Sequence, residues 1–177
     1  MAVRHRLFFA LQPPARHLPG VARHRDRLGE LHSKVSNPRL HLTLAITDDY
    51  DFYPAEAASD LHAMAAEIIA EPVDVVLSRL NATPRSIALS PGRRSPQLRD
   101  LQAALGTRMA RAGSLRKDWK FSPHVTLGYR DGASFNRPID PICWENDDFV
   151  LIHSVVDETR HNTLARWPLS WRQGRLL

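Results

Sequence analysis

Two stretches of this sequence place an imidazole and a hydroxyl two residues apart inside an apolar, alternating run. They are Leu40-His41-Leu42-Thr43-Leu44-Ala45 and Pro123-His124-Val125-Thr126-Leu127-Gly128-Tyr129-Arg130. In a β-strand, side chains alternate between faces, so Leu42 and Leu44 anchor one face while His41 and Thr43 present from the other. In the second run, Val125 and Leu127 anchor while His124, Thr126, Gly128 and Arg130 present. Two residues of strand rise span roughly 6.6 Å, so each imidazole and its hydroxyl stand over the same patch of surface. Such a set suits in-line opening of a cyclic phosphodiester. A base takes the proton of the attacking water on one side of phosphorus, and an acid protonates the departing ester oxygen on the other. One histidine cannot serve both sides, and imidazole titrates close enough to neutrality for two to hold opposite protonation states. The hydroxyls of Thr43 and Thr126 would donate to the non-bridging oxygens, and Arg130 would neutralise their charge. Ala45 and Gly128, two residues beyond each Thr, are small enough to leave the floor of a groove open.

A third His-x-Thr-Leu, His161-Asn162-Thr163-Leu164, follows the polar run Asp157-Glu158-Thr159-Arg160 and reads as an incidental turn entering the last strand. The nine histidines form no His-Glu-x-x-His helix and no Cys-His cluster, so no metal is expected. No Gly-rich phosphate loop is present, and no cofactor is expected. Phe9, Tyr50, Tyr53, Trp119 and Phe121 are candidates for stacking on a base, with core packing as the alternative for each.

Around these motifs, Leu7–Leu11 predicts a strand buried on both faces. A basic helix is expected over about 20–31 and a strand over 39–46. Pro54 opens a helix to about residue 70, and strands follow at 73–80 and 86–89. Pro96 opens a third helix, with Leu98, Leu101, Leu105 and Met109 at helical spacing, ending at Gly113. The strand 124–130 leads into a loop over 131–140, and strands near 149–156 and 163–169 finish the chain. Mixed strands and helices in this order imply an α+β fold.

With 177 residues, 43% of them hydrophobic, residues 1–177 suit one bilobal domain with one well-packed core. No apolar run approaches the roughly 20 residues of a membrane span, and the run after the basic N-terminus stops at Pro13-Pro14, short of a signal-peptide core. The single cysteine, Cys143, excludes an intramolecular disulfide, and the cytoplasm is expected. The formal charge of +5, mostly arginine, suits a polyanionic partner.

On its two motifs and their flanks, the sequence resembles the 2H phosphoesterase superfamily, most closely the RNA 2′,3′-cyclic phosphodiesterases once called 2′-5′ RNA ligases. Arg6-Leu7-Phe8-Phe9-Ala10 looks like the family's opening strand, Phe121 to Leu127 its second motif, and Phe149-Val150-Leu151 with Leu164 to Leu169 its closing strands. The resemblance implies a bilobal, pseudo-two-fold fold, with two mostly antiparallel sheets lining a central cleft and helices outside. It implies a metal-free site made by His41, Thr43, His124 and Thr126, with Arg130 as the next candidate. The chain departs from the family after its first motif. Relatives continue with an aromatic residue, Leu and Gly, whereas here Ile46-Thr47-Asp48-Asp49-Tyr50 begins an acidic loop that would repel an RNA backbone near the cleft.

The expected activity is hydrolysis of 2′,3′-cyclic phosphates on RNA 3′ ends or nucleotides to a phosphomonoester, the 2′-phosphate, by a monomer, with weak 2′-5′ ligation as a side activity. Two alternatives stay open: a phosphodiesterase for small nucleotides such as ADP-ribose 1″,2″-cyclic phosphate, and a non-catalytic RNA or nucleotide binder. Residue types leave open which histidine is the base; analogy favours His124 as base and His41 as acid.

Overall fold

A computed structural model describes residues 3–29 and 31–171. The strands are β1 (His5–Leu11), β2 (Ser33–Lys34), β3 (Leu42–Ile46), β4 (Val73–Ala82), β5 (Ser86–Pro91), β6 (Val125–Tyr129), β7 (Phe135–Asn146), β8 (Asp148–Val155) and β9 (Arg160–Pro168). The α-helices are α1 (Leu18–Asp26), α2 (Ala55–Ala66) and α3 (Pro96–Arg111). The fold is α+β, and every strand pairing is antiparallel.

The strands follow the order β7-β4-β5-β6-β3-β1-β8-β9, with β2 added against β6. The two sheets expected from the sequence are therefore two four-stranded halves of one hydrogen-bonded path. They meet between β3 and β6 at one residue pair, Leu42 with Val125. Each half brings to this seam the strand that follows one of the two histidines.

Continuous apolar runs are needed where both faces of a strand are covered, and β1 and β8 are such strands. Leu7, Phe9 and Leu11 point into the main core with Leu42, Leu44, Phe149 and Leu151. Phe8 and Ala10 point the other way, into a thin second cluster with Val150 and Ile152. The main core is closed by α3, whose Leu98, Leu101, Leu105 and Met109 are buried. Pro96 starts α3 behind the N-cap Ser95, whose side chain accepts from the Leu98 amide at 3.3 Å.

Three expectations change. The segment 131–140 is a loop only at its start; Phe135–Asn146 is the longest strand and forms an edge of the sheet. Its Pro138 and Pro141 disguise it in the sequence, because proline interrupts a ladder and is tolerated at an edge. A short strand at Ser33–Lys34 occupies part of the segment expected to lie between helix and strand. The first helix ends at Asp26, and residue 30 of the expected helix lies outside the described residues. No helix among the described residues is long and apolar enough to cross a membrane.

Candidate active site

At the seam, Leu42 and Val125 face each other, and both are fully buried. Carrying that antiparallel register one residue either way sets His41 across from Thr126, and His124 across from Thr43. The two motifs are thus related by a local pseudo-dyad through the Leu42–Val125 pair. All four side chains line one cleft of about 360 Å³, on the face of the sheet opposite α3. That volume lies in the range of small-molecule sites.

Both imidazoles are held in the same way. His41 Nδ1 lies 2.6 Å from the Arg39 carbonyl oxygen, and His124 Nδ1 lies 2.7 Å from the Ser122 carbonyl oxygen. A carbonyl only accepts, so each Nδ1 carries the hydrogen and donates, and each Nε2 is left for proton transfer. The orienting partner is in each case the backbone two residues upstream.

The environments of the pair differ. His124 is exposed, whereas His41 is half-buried, its ring tilted against Phe8 with centroids 4.8 Å apart. Burial pushes the His41 imidazole down to about 4, partly offset by its bond to the Arg39 carbonyl; His124 and the Arg39 guanidinium lower it further. Desolvation disfavours the cation, so His41 is neutral at physiological pH.

The structure adds residues that sequence reasoning passed over. His161, read as incidental, lines the same cleft and meets His41 edge-on, with centroids 5.2 Å apart. Burial pushes it down to about 3, with His41, Arg39 and Arg6 adding like-charge repulsion. It enters the site because β9 begins at Arg160, straight after a tight turn that puts Thr159 in the left-handed region (φ 51°). Arg6 and Arg39 line the cleft as well, as do Ser33, Ser154 and Tyr129. For Arg6, strand parity with Phe8 was the available signal.

Arg130 is placed elsewhere. β6 ends at Tyr129, and the Arg130 guanidinium turns over Phe135 at 5.8 Å and packs against Gly132, in a separate groove with Arg27 and Arg137. The small residues also have a different task. Ala45 is in the main core. A Cβ on Gly128 would lie 2.7 Å from the Ser33 carbonyl oxygen, so Gly128 admits the backbone of β2. Within the acidic loop Asp49 is neutralised: it receives Arg6 Nε at 2.6 Å and Nη2 at 2.8 Å, with Arg116 and Arg4 also paired to it. Those cations hold its carboxyl below the usual range, Arg6 foremost. Of the five aromatic stacking candidates none lines the cleft, and Phe9 is in the core.

No group of three or more His, Cys, Asp or Glu that could hold a metal is present among the described residues.

A family model described as the 2′-5′ RNA ligase superfamily matches residues 12–158. LigT from E. coli in complex with 3′-AMP is similar in structure with a TM-score of 0.82 at 25% identity, covering 95% of this chain and 99% of that one. The apo form of the same protein gives 0.79 at 26% identity, with the same coverage. A structure described as a phosphoesterase gives 0.78 at 25% identity, covering 94% and 99%. No curated protein sequence matches the chain. Spanning both histidine strands and most of the chain, the family match shows that this chain belongs to the 2′-5′ RNA ligase superfamily of 2H phosphoesterases.

Proposed function

We propose that the chain hydrolyses 2′,3′-cyclic phosphates, on RNA 3′ ends or nucleotides, to 2′-phosphomonoesters without a metal. The observation that carries this reading is the matched pair of imidazoles. Each has its Nδ1–H tied to the backbone carbonyl two residues upstream and its Nε2 free, and the two come from opposite halves of one cleft. A binding module needs the hydroxyls and the cations, but has no use for two oriented, titratable nitrogens.

His41 takes the role of base, reversing the assignment expected by analogy, because burial keeps its Nε2 unprotonated and ready to accept. Water loses a proton to His41 Nε2 as its oxygen forms a bond to phosphorus. The bond from phosphorus to O3′ breaks, and O3′ takes a proton from the His124 imidazolium at Nε2. His41 then returns its proton to solvent and His124 regains one. Thr43 and Thr126 donate to the non-bridging oxygens. Tyr129, 46% exposed at the rim, offers its ring to the base. The E. coli relative is complexed with 3′-AMP, a nucleoside monophosphate that is the positional isomer of the 2′-product proposed here.

The lining of the cleft comes from one chain, so we take the monomer, a single bilobal unit over residues 1–177, as the working enzyme. The free, exposed thiol of Cys143 suits a reducing compartment, and the cytoplasm is the location we assign. Purified protein incubated with each 2′,3′-cyclic mononucleotide in the presence of a chelator tests the reading. A 2′-monoester product supports it. No turnover on cyclic mononucleotides or on RNA ending in a cyclic phosphate sinks it.

A further inference from the structure

A cyclic phosphodiester is served by the two histidines and two threonines, yet the cleft offers further hydrogen-bond donors beyond these four. Among the described residues lining it are two arginines and three histidines, and none is acidic. The surplus lies on one flank. Arg6, Ser154 and His161 are successive partners across β1, β8 and β9, Arg6 opposite Ser154 and Ser154 opposite His161, so all three stand on one rung of the sheet and face the cleft. Arg39 reaches the same flank from the turn before His41, close enough for its charge to act on both His41 and His161.

Two of these groups each leave one nitrogen without an internal partner. Arg39 Nε is buried with no hydrogen-bond partner, and so is His161 Nδ1. A buried guanidinium N–H left unsatisfied is costly and is explained when an anion accepts from it. Asp49 grips Arg6 through Nε and Nη2, which fixes the guanidinium and leaves Nη1 as a donor. Asp49 itself is outside the cleft lining.

We infer that the flank formed by Arg6, Arg39, Ser154 and His161 is a second anion subsite, which takes the next phosphate along the substrate while the histidine pair holds the cyclic one. The inference rests on the reading of the cleft as a phosphodiester site. The His-x-Thr core of the site is duplicated across the pseudo-dyad, whereas the rung of Arg6, Ser154 and His161 belongs to the β1-β8-β9 half alone, so the subsite stands on one side only. Two phosphates of one nucleotide flank a single ribose, so the second anion lies within a ribose's reach of the first. A neutral His161 offers a donor without adding charge beside His41. The substrate class is therefore one with a phosphate on the 5′ side of the reacting ribose, either a terminal 5′-phosphate or the bridging phosphodiester of an RNA strand.

Calorimetric titration with three product-like probes tests this independently of turnover: adenosine 2′-monophosphate, adenosine 2′,5′-bisphosphate, and an adenylyl dinucleotide with a 2′-phosphate on its last ribose. A charged hydrogen-bonding partner should tighten binding by about ten-fold or more over the monophosphate. Tightening by the dinucleotide alone marks the bridging phosphodiester, and tightening by the bisphosphate alone marks a terminal phosphate; both support the subsite. Arg39→Gln and His161→Phe should reduce the ratio towards one, with a smaller loss for the monophosphate, and Arg39→Lys should restore part of it in a protein of unchanged melting temperature. A ratio near one for both larger probes in the wild type overturns the subsite, as does a ratio that survives Arg39→Gln. If cyclic mononucleotides are hydrolysed and the ratio is one, the subsite alone fails. A high ratio without hydrolysis leaves the subsite standing and removes the enzyme. If none of the probes binds, the subsite falls as well.

Discussion

His41 and His161 meet edge to face, their ring planes inclined at 67°, with Phe8 against both. Desolvation of these two half-buried rings has one physical consequence: neither can take a proton cheaply.

That desolvation sets an acid sensitivity. Both histidines are held below their ordinary value of 6.5, His41 at about 4 and His161 at about 3, so the unfolded chain binds more protons than the folded one throughout that window. Stability should therefore be fully present above pH 6.5 and fall as pH drops through 4 towards 3. Chemical melts across this range measure the slope. His161→Phe should flatten it, and an unchanged slope would show that His161 does not resist protonation.

The base assignment makes its own demand on kinetics. The acidic limb of kcat/KM for a cyclic mononucleotide should lie well below 6.5, near the free-enzyme value of His41 at about 4. An acidic limb at or above 6.5 would return the base role to His124.

Removing either proton carrier should be severe. His41→Ala and His124→Ala are each expected to lose about 10²- to 10⁴-fold in turnover, and the double variant little more than the worse single one. Steady-state rates with cyclic mononucleotides check this, and full activity in either single variant would end the mechanism. Thr43→Val and Thr126→Val remove one oxyanion donor each, with expected losses of about 10²-fold.

Arg130→Ala should leave mononucleotide turnover close to wild type, because its guanidinium sits over Phe135 in another groove. A large fall in kcat would place it back among the phosphate contacts.

Gly128→Ala puts a Cβ 2.7 Å from the Ser33 carbonyl oxygen and 2.9 Å from a Leu31 methyl. Backbone cannot yield as a side-chain tip does, so a loss of about 1–3 kcal/mol is expected from overpacking. Denaturant unfolding measures it.

The parts of this molecule readable in the sequence are those set by local alternation. His41 and Thr43 share a face because Leu42 and Leu44 require the other, and the same holds at His124 and Thr126. The α3 face was likewise visible in Leu98, Leu101, Leu105 and Met109. What escaped depends on where strands end and on what lies beside them. Arg130 seemed to continue the alternation of β6, but the strand stops one residue earlier. His161 looked like part of a turn, yet the left-handed Thr159 lets β9 begin in time to set it against Ser154. Phe135–Asn146 carries prolines and few buried residues, as an edge strand can, so no apolar rhythm marked it. The acidic loop appeared repulsive because the arginines that neutralise Asp49 come from residues 4, 6 and 116, far away in the chain.

Each of the paired imidazoles takes its orientation from the backbone carbonyl two positions upstream, Arg39 or Ser122, and among the described residues no hydrogen bond from across the cleft contributes to that hold. Each motif is therefore self-contained: the tautomer of either ring is fixed before any ligand arrives and does not depend on the other ring.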